Sequence, residues 1–237
     1  MEIYIVRHCD PDYDTDSLTP QGIKEAQTLS GRIKDINADA FYCSPMGRAQ
    51  KTASIALDSI NANPETLDWL HEFFGFIEYR GQKQICWDLH PSYWTKENKF
   101  YTDKWMESDL LNDTNVKDEY IKVTSGIDEL LSSYGYIHED KIFRVKQGNH
   151  KKIVLFCHFG VQCIILGYLL NLPPMVLLHN FAALPSSVTK LVTEEREKGI
   201  ANFRLLYFGD LSHLYENKTE PSFAARFCEC YEDETRH

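Results

Sequence analysis

The alternation of apolar runs and amphipathic segments over the first sixty residues constrains the fold of this chain most. EIYIV, at residues 2–6, is short, apolar and rich in β-branched side chains, the pattern of a buried strand. A polar loop then leads into LTPQGIKEAQTLSGRIKDI, with Thr19 at an N-cap position and Pro20 at the first helical position. Ile23, Ala26, Leu29 (or Ser30), Ile33 and Ile36 follow at the spacing of one helix face. DAFYCS reads as a second strand and GRAQKTASIALDSI as a second helix. Strand, helix, strand, helix predicts a parallel sheet with crossover helices.

The middle of the chain breaks this rhythm. TLDWLHEFFGFIEYRG suggests a strand and a turn, whereas WDLHPSYWTKENKFYTDKWMES is aromatic and charged without a clean period. An inserted cap or lid is therefore expected at about residues 73–118. VKDEYIKVTSGIDELLSSYG is helical again, with Tyr120, Val123 (or Thr124), Ile127, Leu130 and Leu131 on one face. HEDKIFRVKQGNHKK resembles an exposed strand and turn. KIVLFCHFG is an apolar strand ending at His158, and Gly160 opens the helix VQCIILGYLLN. SVTKLVTEEREKGIANFRLLYFGD reads as two alternating strands joined by a charged turn, and PSFAARFCECYEDETRH as a short helix fraying into a polar end. No repeat or linker divides the chain. The expectation is one domain over residues 1–237, a three-layer α/β/α sandwich with a mainly parallel sheet and the inserted cap.

Composition narrows the function classes. A chain of 237 residues with 43% hydrophobic content can bury a sizeable core. Its net charge of -10 argues against nucleic acid or an anionic membrane as partner, because both select basic surfaces. The seven cysteines are odd in number and scattered, as expected of reduced thiols in a cytoplasmic protein. The start lacks the basic and apolar regions of a secretory signal. CIILGYLLNLPPMVLL is interrupted by Gly167, Asn171 and two prolines, too broken to span a bilayer.

Three chain positions carry related chemistry. The first strand ends on Arg7-His8, the second leads into SPMGRAQKTA with Arg48 at the mouth of a helix, and a later strand ends on Cys157-His158. In an open parallel sheet, ligands bind outside the carboxyl ends of the strands, where helix N-termini also point. If the strands are neighbours, Arg7, His8, Arg48 and His158 converge. Two guanidinium forks suit a phosphate dianion. Of two histidines beside it, one can attack phosphorus and carry the group, and the other can donate to the equatorial oxygens. A departing alkoxide also needs a proton, for which Glu72 in LHEFFGF is the candidate general acid, with Glu78 as the alternative. His90, Trp87, Trp94 and Trp105 either face substrate from the lid or pack it onto the domain. The carboxylates of DPDYDTD read as a solvated loop.

Arg7-His8, LTPQG followed by EAQ, SPMGRAQKTA and CHFG, in this order, resemble the histidine phosphatase superfamily, the phosphoglycerate mutase-like family. The resemblance covers roughly residues 1–60 and 152–170, and more weakly 65–80 and 203–214. It implies a three-layer α/β/α domain with no metal and no cofactor. His8 would be the phosphorylated nucleophile, Arg7, Arg48 and His158 the phosphate pocket, and Glu72 the proton donor. The substrate would be a small phosphorylated molecule, and a homodimer is an analogy with the family. Departures are informative. Cys9 stands where the family usually has Gly or Ala, and its thiol would make the site sensitive to oxidation. DPDYDTDS replaces the segment in which the glycolytic mutases carry an Asn, and the insert lacks their basic character, which favours hydrolysis over mutase activity.

Other classes fit less well. A cysteine phosphatase needs five residues between Cys and Arg, and Cys43 and Arg48 enclose four. A metal hydrolase on His8, Cys9, Cys157 and His158 would need adjacent strand residues, which face opposite sides, to ligate one ion. A phosphopeptide- or phosphometabolite-binding module without turnover keeps the same pocket, so the fold alone does not exclude it.

Overall fold

The computed structural model describes residues 1–222. The helix expected in the C-terminal segment, with Cys228 and Cys230, lies outside the described residues.

The first strand, β1 (Glu2–Arg7), leads through a small hairpin of β2 (Pro11–Asp12) and β3 (Ser17–Leu18) into α1 (Pro20–Ile36). Thr19 caps this helix, its hydroxyl accepting from Gly22 N at 3.0 Å, and Pro20 occupies the first turn, as the sequence implied. β4 (Ala40–Cys43), α2 (Gly47–Leu57) and β5 (Glu65–Thr66) follow. The segment expected as a lid holds a hairpin of β6 (Phe76–Tyr79) and β7 (Gln82–Ile85), then α3 (Pro91–Trp94) and isolated turns of 3₁₀ helix. α4 (Val116–Ser133) precedes the hairpin β8 (Tyr136–Glu139) and β9 (Ile142–Val145). β10 (Lys152–Cys157), α5 (Phe159–Leu170), α6 (Pro174–Asn180), β11 (Val188–Glu197), β12 (Ile200–Asp210) and α7 (Ser212–Glu216) complete the order.

Eight strands form the central sheet in the order β5-β4-β10-β1-β11-β12-β9-β8. β5, β4, β10 and β1 are parallel neighbours, and the remaining pairings are antiparallel. The division follows connection length. α1 and α2 are long enough to return the chain in the parallel direction, whereas the turns at Asp140-Lys141 and Lys198-Gly199 can only reverse it. The strand and turn expected in HEDKIFRVKQ thus complete a hairpin with the residues from Tyr136 onward, at the far edge of the sheet.

Both faces of the parallel half are covered. Ile3 and Ile5 of β1, with Ile153 and Leu155 of β10, enter a core with α4, α5 and α6. Tyr4 and Val6, with Val154 and Phe156, enter a second core with α1 and α2. The period of two along a strand makes this split, and burial on both faces explains why IYIV and IVLFC are apolar throughout. α5 is buried along almost its whole length, and this accounts for the apolar run CIILGYLL. Among the described residues no helix is long and apolar enough to cross a membrane.

Candidate active site

Parallel register sets the site. Arg7 of β1 lies beside Cys157 of β10, and Phe156 lies beside Cys43 of β4. The next residues, His8, His158 and Ser44, therefore emerge together at the carboxyl edge, fastened by His8 N donating to Cys157 O and Ser44 N donating to Phe156 O, each at 2.9 Å. The imidazole centroids of His8 and His158 are 5.1 Å apart. α2 and α5 both begin at this edge, with Arg48 and Phe159-Gly160 in their first turns.

Each group is held in a defined state. His8 Nδ1 lies 2.8 Å from its neighbour's carbonyl, Cys9 O, to which it donates, so Nε2 keeps its lone pair. Arg7 donates to Ala183 O and lies over the Phe159 ring. Burial, then the Arg7 charge, holds His8 well below the usual histidine range. Burial also lowers His158, helped by His8, Arg48 and Arg7. Both rings are neutral at pH 7. Glu72 is raised by burial, against the opposing pull of two backbone amides, Arg7 and Arg48. Its Oε1 accepts from Phe73 N at 2.7 Å and Val161 N at 3.1 Å, which leaves Oε2 as the oxygen available for a proton.

The structure thus brings Arg7, His8, Arg48, Glu72 and His158 to one edge of the sheet, and it separates the two glutamates. Glu78 is exposed on β6, opposite Lys83 in the hairpin, whereas Glu72 lies against the start of α5. Of the four lid rings, Trp105 packs on Tyr120 of α4 and Trp94 stacks on His179 of α6. His90 is exposed beside Tyr79. Only Trp87 reaches the site: a Cβ on Gly160 would meet Glu72 Oε1 at 2.6 Å and the Trp87 ring at 2.7 Å.

The acidic loop is not simply solvated. Asp16 accepts from Arg48 Nη1 and from Gly47 N, each at 2.6 Å, so a carboxylate sits on the N-terminus of α2. An arginine in that first turn is unfavourable without a nearby anion, and the residue at the cap, Met46, makes no side-chain capping hydrogen bond. That mismatch was the signal for a partner, and the chain itself supplies one. Asp10 is also engaged. It accepts from the Thr19 hydroxyl at 2.6 Å, and its amide donates to buried Glu25 at 2.9 Å, while the Ser222 amide donates to the other Glu25 oxygen at 2.8 Å. These bonds explain LTPQG and EAQ: both steady the loop behind His8, with Gly22 so close that a Cβ would lie 2.2 Å from Asp10 O. Cys9 is wholly buried and its thiol is pushed well up by burial, then by Glu25, so it lacks the thiolate an oxidant would attack. Among the described residues no cluster of His, Cys, Asp and Glu has the arrangement to hold a metal ion.

Comparison with known proteins gives relatives for the sequence and for the fold. The chain is 23% identical to an adenosylcobalamin/alpha-ribazole phosphatase of Escherichia coli, over 76% of this chain and 84% of that one. It is 37% identical to a 2,3-bisphosphoglycerate-dependent phosphoglycerate mutase of Thermoplasma acidophilum over 30% of this chain and 34% of the mutase. A phosphoserine phosphatase structure from Entamoeba histolytica superposes with a TM-score of 0.61 at 21% identity, covering 90% of this chain and 98% of that one. A family profile matches residues 3–136, more than half of the sequence, and with it the chain belongs to the histidine phosphatase superfamily (branch 1).

Proposed function

We propose that this chain is a phosphatase that hydrolyses a phosphomonoester through a phosphohistidine on His8, without a metal ion. The observation that carries the reading is the state of His8: its Nδ1–H is spent on Cys9 O, and the bare Nε2 stands among two arginines and a second neutral histidine. A phosphoryl group there is bound by Arg7 and Arg48, with His158 donating to an equatorial oxygen. His8 Nε2 attacks phosphorus, the P–O bond to the alcohol breaks, and the departing oxygen takes the Glu72 proton. Water then attacks phosphorus and gives its proton back to Glu72 as the P–N bond breaks, releasing inorganic phosphate and neutral His8. The arginines supply the charge that a metal would otherwise provide.

The leaving group departs beside Glu72, where Trp87 forms the wall. An apolar or ring-bearing alcohol fits that wall. The acidic loop around Asp14 and Asp16 disfavours a leaving group with a further negative charge, as a mutase of phosphoglycerates requires. The test is release of phosphate from p-nitrophenyl phosphate in EDTA by the wild type and His8→Ala, with acid-quenched trapping of the phosphoenzyme. Turnover and an acid-labile label in the wild type alone support the reading. Turnover by His8→Ala, or its loss in EDTA, refutes it.

A further inference from the structure

The side chain of Ser44, the residue after β4, meets His158 at the carboxyl edge of the sheet. Its hydroxyl oxygen lies 2.7 Å from His158 Nε2 and 3.2 Å from Met46 N. Ser44 and His158 are wholly buried, and His158 Nδ1 has no partner within the described chain. A hydroxyl has one hydrogen to give and can accept others, whereas a backbone amide can only give. The Met46 amide therefore donates to Ser44 Oγ and cannot take its hydrogen.

Two arrangements remain. With the proton on Nε2, His158 donates to Ser44 Oγ, the serine hydrogen has no acceptor, and a bare Nδ1 is buried. With the proton on Nδ1, the serine hydrogen goes to Nε2 and only the Nδ1–H awaits an acceptor. The first arrangement leaves two buried polar groups unpaired and the second only one, so the second prevails. The sheet enforces it. Ser44 N is bound to Phe156 O at 2.9 Å and Ser44 O receives Gln50 Nε2 at 2.6 Å, so the backbone that carries Oγ is fixed beside His158.

We infer that Ser44 is a positioning residue that holds His158 as the Nδ1–H tautomer, so that this ring meets a phosphoryl oxygen as a hydrogen-bond donor and not as a base. The inference rests on the reading of this edge as a phosphoryl-transfer site. The two rings then differ in what they offer. His8 spends its Nδ1–H on a carbonyl and presents a lone pair, while His158 spends its Nε2 lone pair on Ser44 and presents a proton. Sequence position alone cannot assign these opposite duties to two histidines at strand ends.

Long-range ¹H–¹⁵N correlation on ¹⁵N-histidine-labelled wild-type protein reads the tautomer without turnover. The expected result is a protonated Nδ1 and a bare Nε2 for His158, lost in Ser44→Ala and kept in Ser44→Thr. A protonated Nε2 in the wild type overturns the inference, whether or not any variant folds. In turnover of p-nitrophenyl phosphate, Ser44→Ala should lower kcat by about ten- to a hundredfold with little change in KM, less than the roughly 10²–10³ of losing an oxyanion donor outright. Ser44→Thr should restore most of it, and Ser44→Ala combined with His158→Ala should be no slower than His158→Ala alone. Multiplying effects would overturn the role. The phosphatase reading fails separately, by wild-type protein that releases no phosphate, and the spectrum still decides the tautomer.

Discussion

Glu72→Gln removes the proton transfers of that side chain and keeps its hydrogen-bond acceptor. Glutamine keeps a carbonyl oxygen where Oε1 accepts from Phe73 N at 2.7 Å and Val161 N at 3.1 Å, so the loop stays fastened to α5. What disappears is the proton that Oε2 would give. General acid catalysis contributes about 10²–10⁴-fold, or about 3–5 kcal/mol of barrier at 1.36 kcal/mol per decade. The loss should depend on the leaving group. With an alkyl phosphate, whose alkoxide cannot depart bare, kcat/KM should fall by about 10²–10⁴. With p-nitrophenyl phosphate, whose phenolate departs unprotonated, it should fall by about tenfold or less. The pH profile supplies a sign. Burial raises Glu72, and the protonated form is the active one in the first step, so the alkyl-phosphate rate should decline as pH rises through that raised pKa. That limb should vanish in Glu72→Gln. Equal losses on both substrates would refute proton donation by Glu72 and leave it a structural brace.

Gly160→Ala places a methyl group against Glu72 Oε1 and the Trp87 ring, so kcat should fall by up to about 10²-fold while the melting temperature moves little; near-wild-type kcat would show that the acid is not held there. Asp16→Asn frees Arg48 from a partly exposed carboxylate, so inorganic phosphate should inhibit more tightly by about two- to fivefold, less so at high salt, in line with about 0.2–1 kcal/mol for such pairs. Weaker inhibition would mean that Asp16 holds Arg48 in place and does not compete with the anion. Three buried histidines and one half-buried one also make stability depend on pH: His8 and His158 lie well below 6.5, half-buried His179 is lowered, and His213 is held at about 4, each mainly by burial. The unfolded chain takes these protons first, so their stabilisation is complete above about pH 6.5 and declines below it, by up to about 1.4 kcal/mol per pH unit for each. The raised Glu25 and Glu72 partly oppose this loss. Thermal melts from about pH 7.5 to 5.5 should show a falling midpoint, and a flat profile would count against neutral buried histidines.

What could be read without coordinates rests on short-range physics. The Thr19 cap with Pro20 behind it, the helical period through Ile36, and strands apolar on both faces each depend on a few neighbouring residues. The meeting of Arg7, His8 and His158 was also legible, because residues at the carboxyl ends of parallel neighbours emerge at one edge whatever the loops do. The rest depended on how distant loops fold back. Glu72 and Glu78 lie in the same stretch of sequence, yet only one touches the amide of Val161. The acidic loop looked solvated until Asp16 was seen on α2 and Asp10 against Thr19 and Glu25. Three of the four lid side chains pack elsewhere or face solvent, and only Trp87 reaches the acid. A local pattern states which groups a segment can offer. Which lone pair or proton stays unspent, as with His158 above Ser44, follows from contacts between remote segments, and only the tertiary structure decides those.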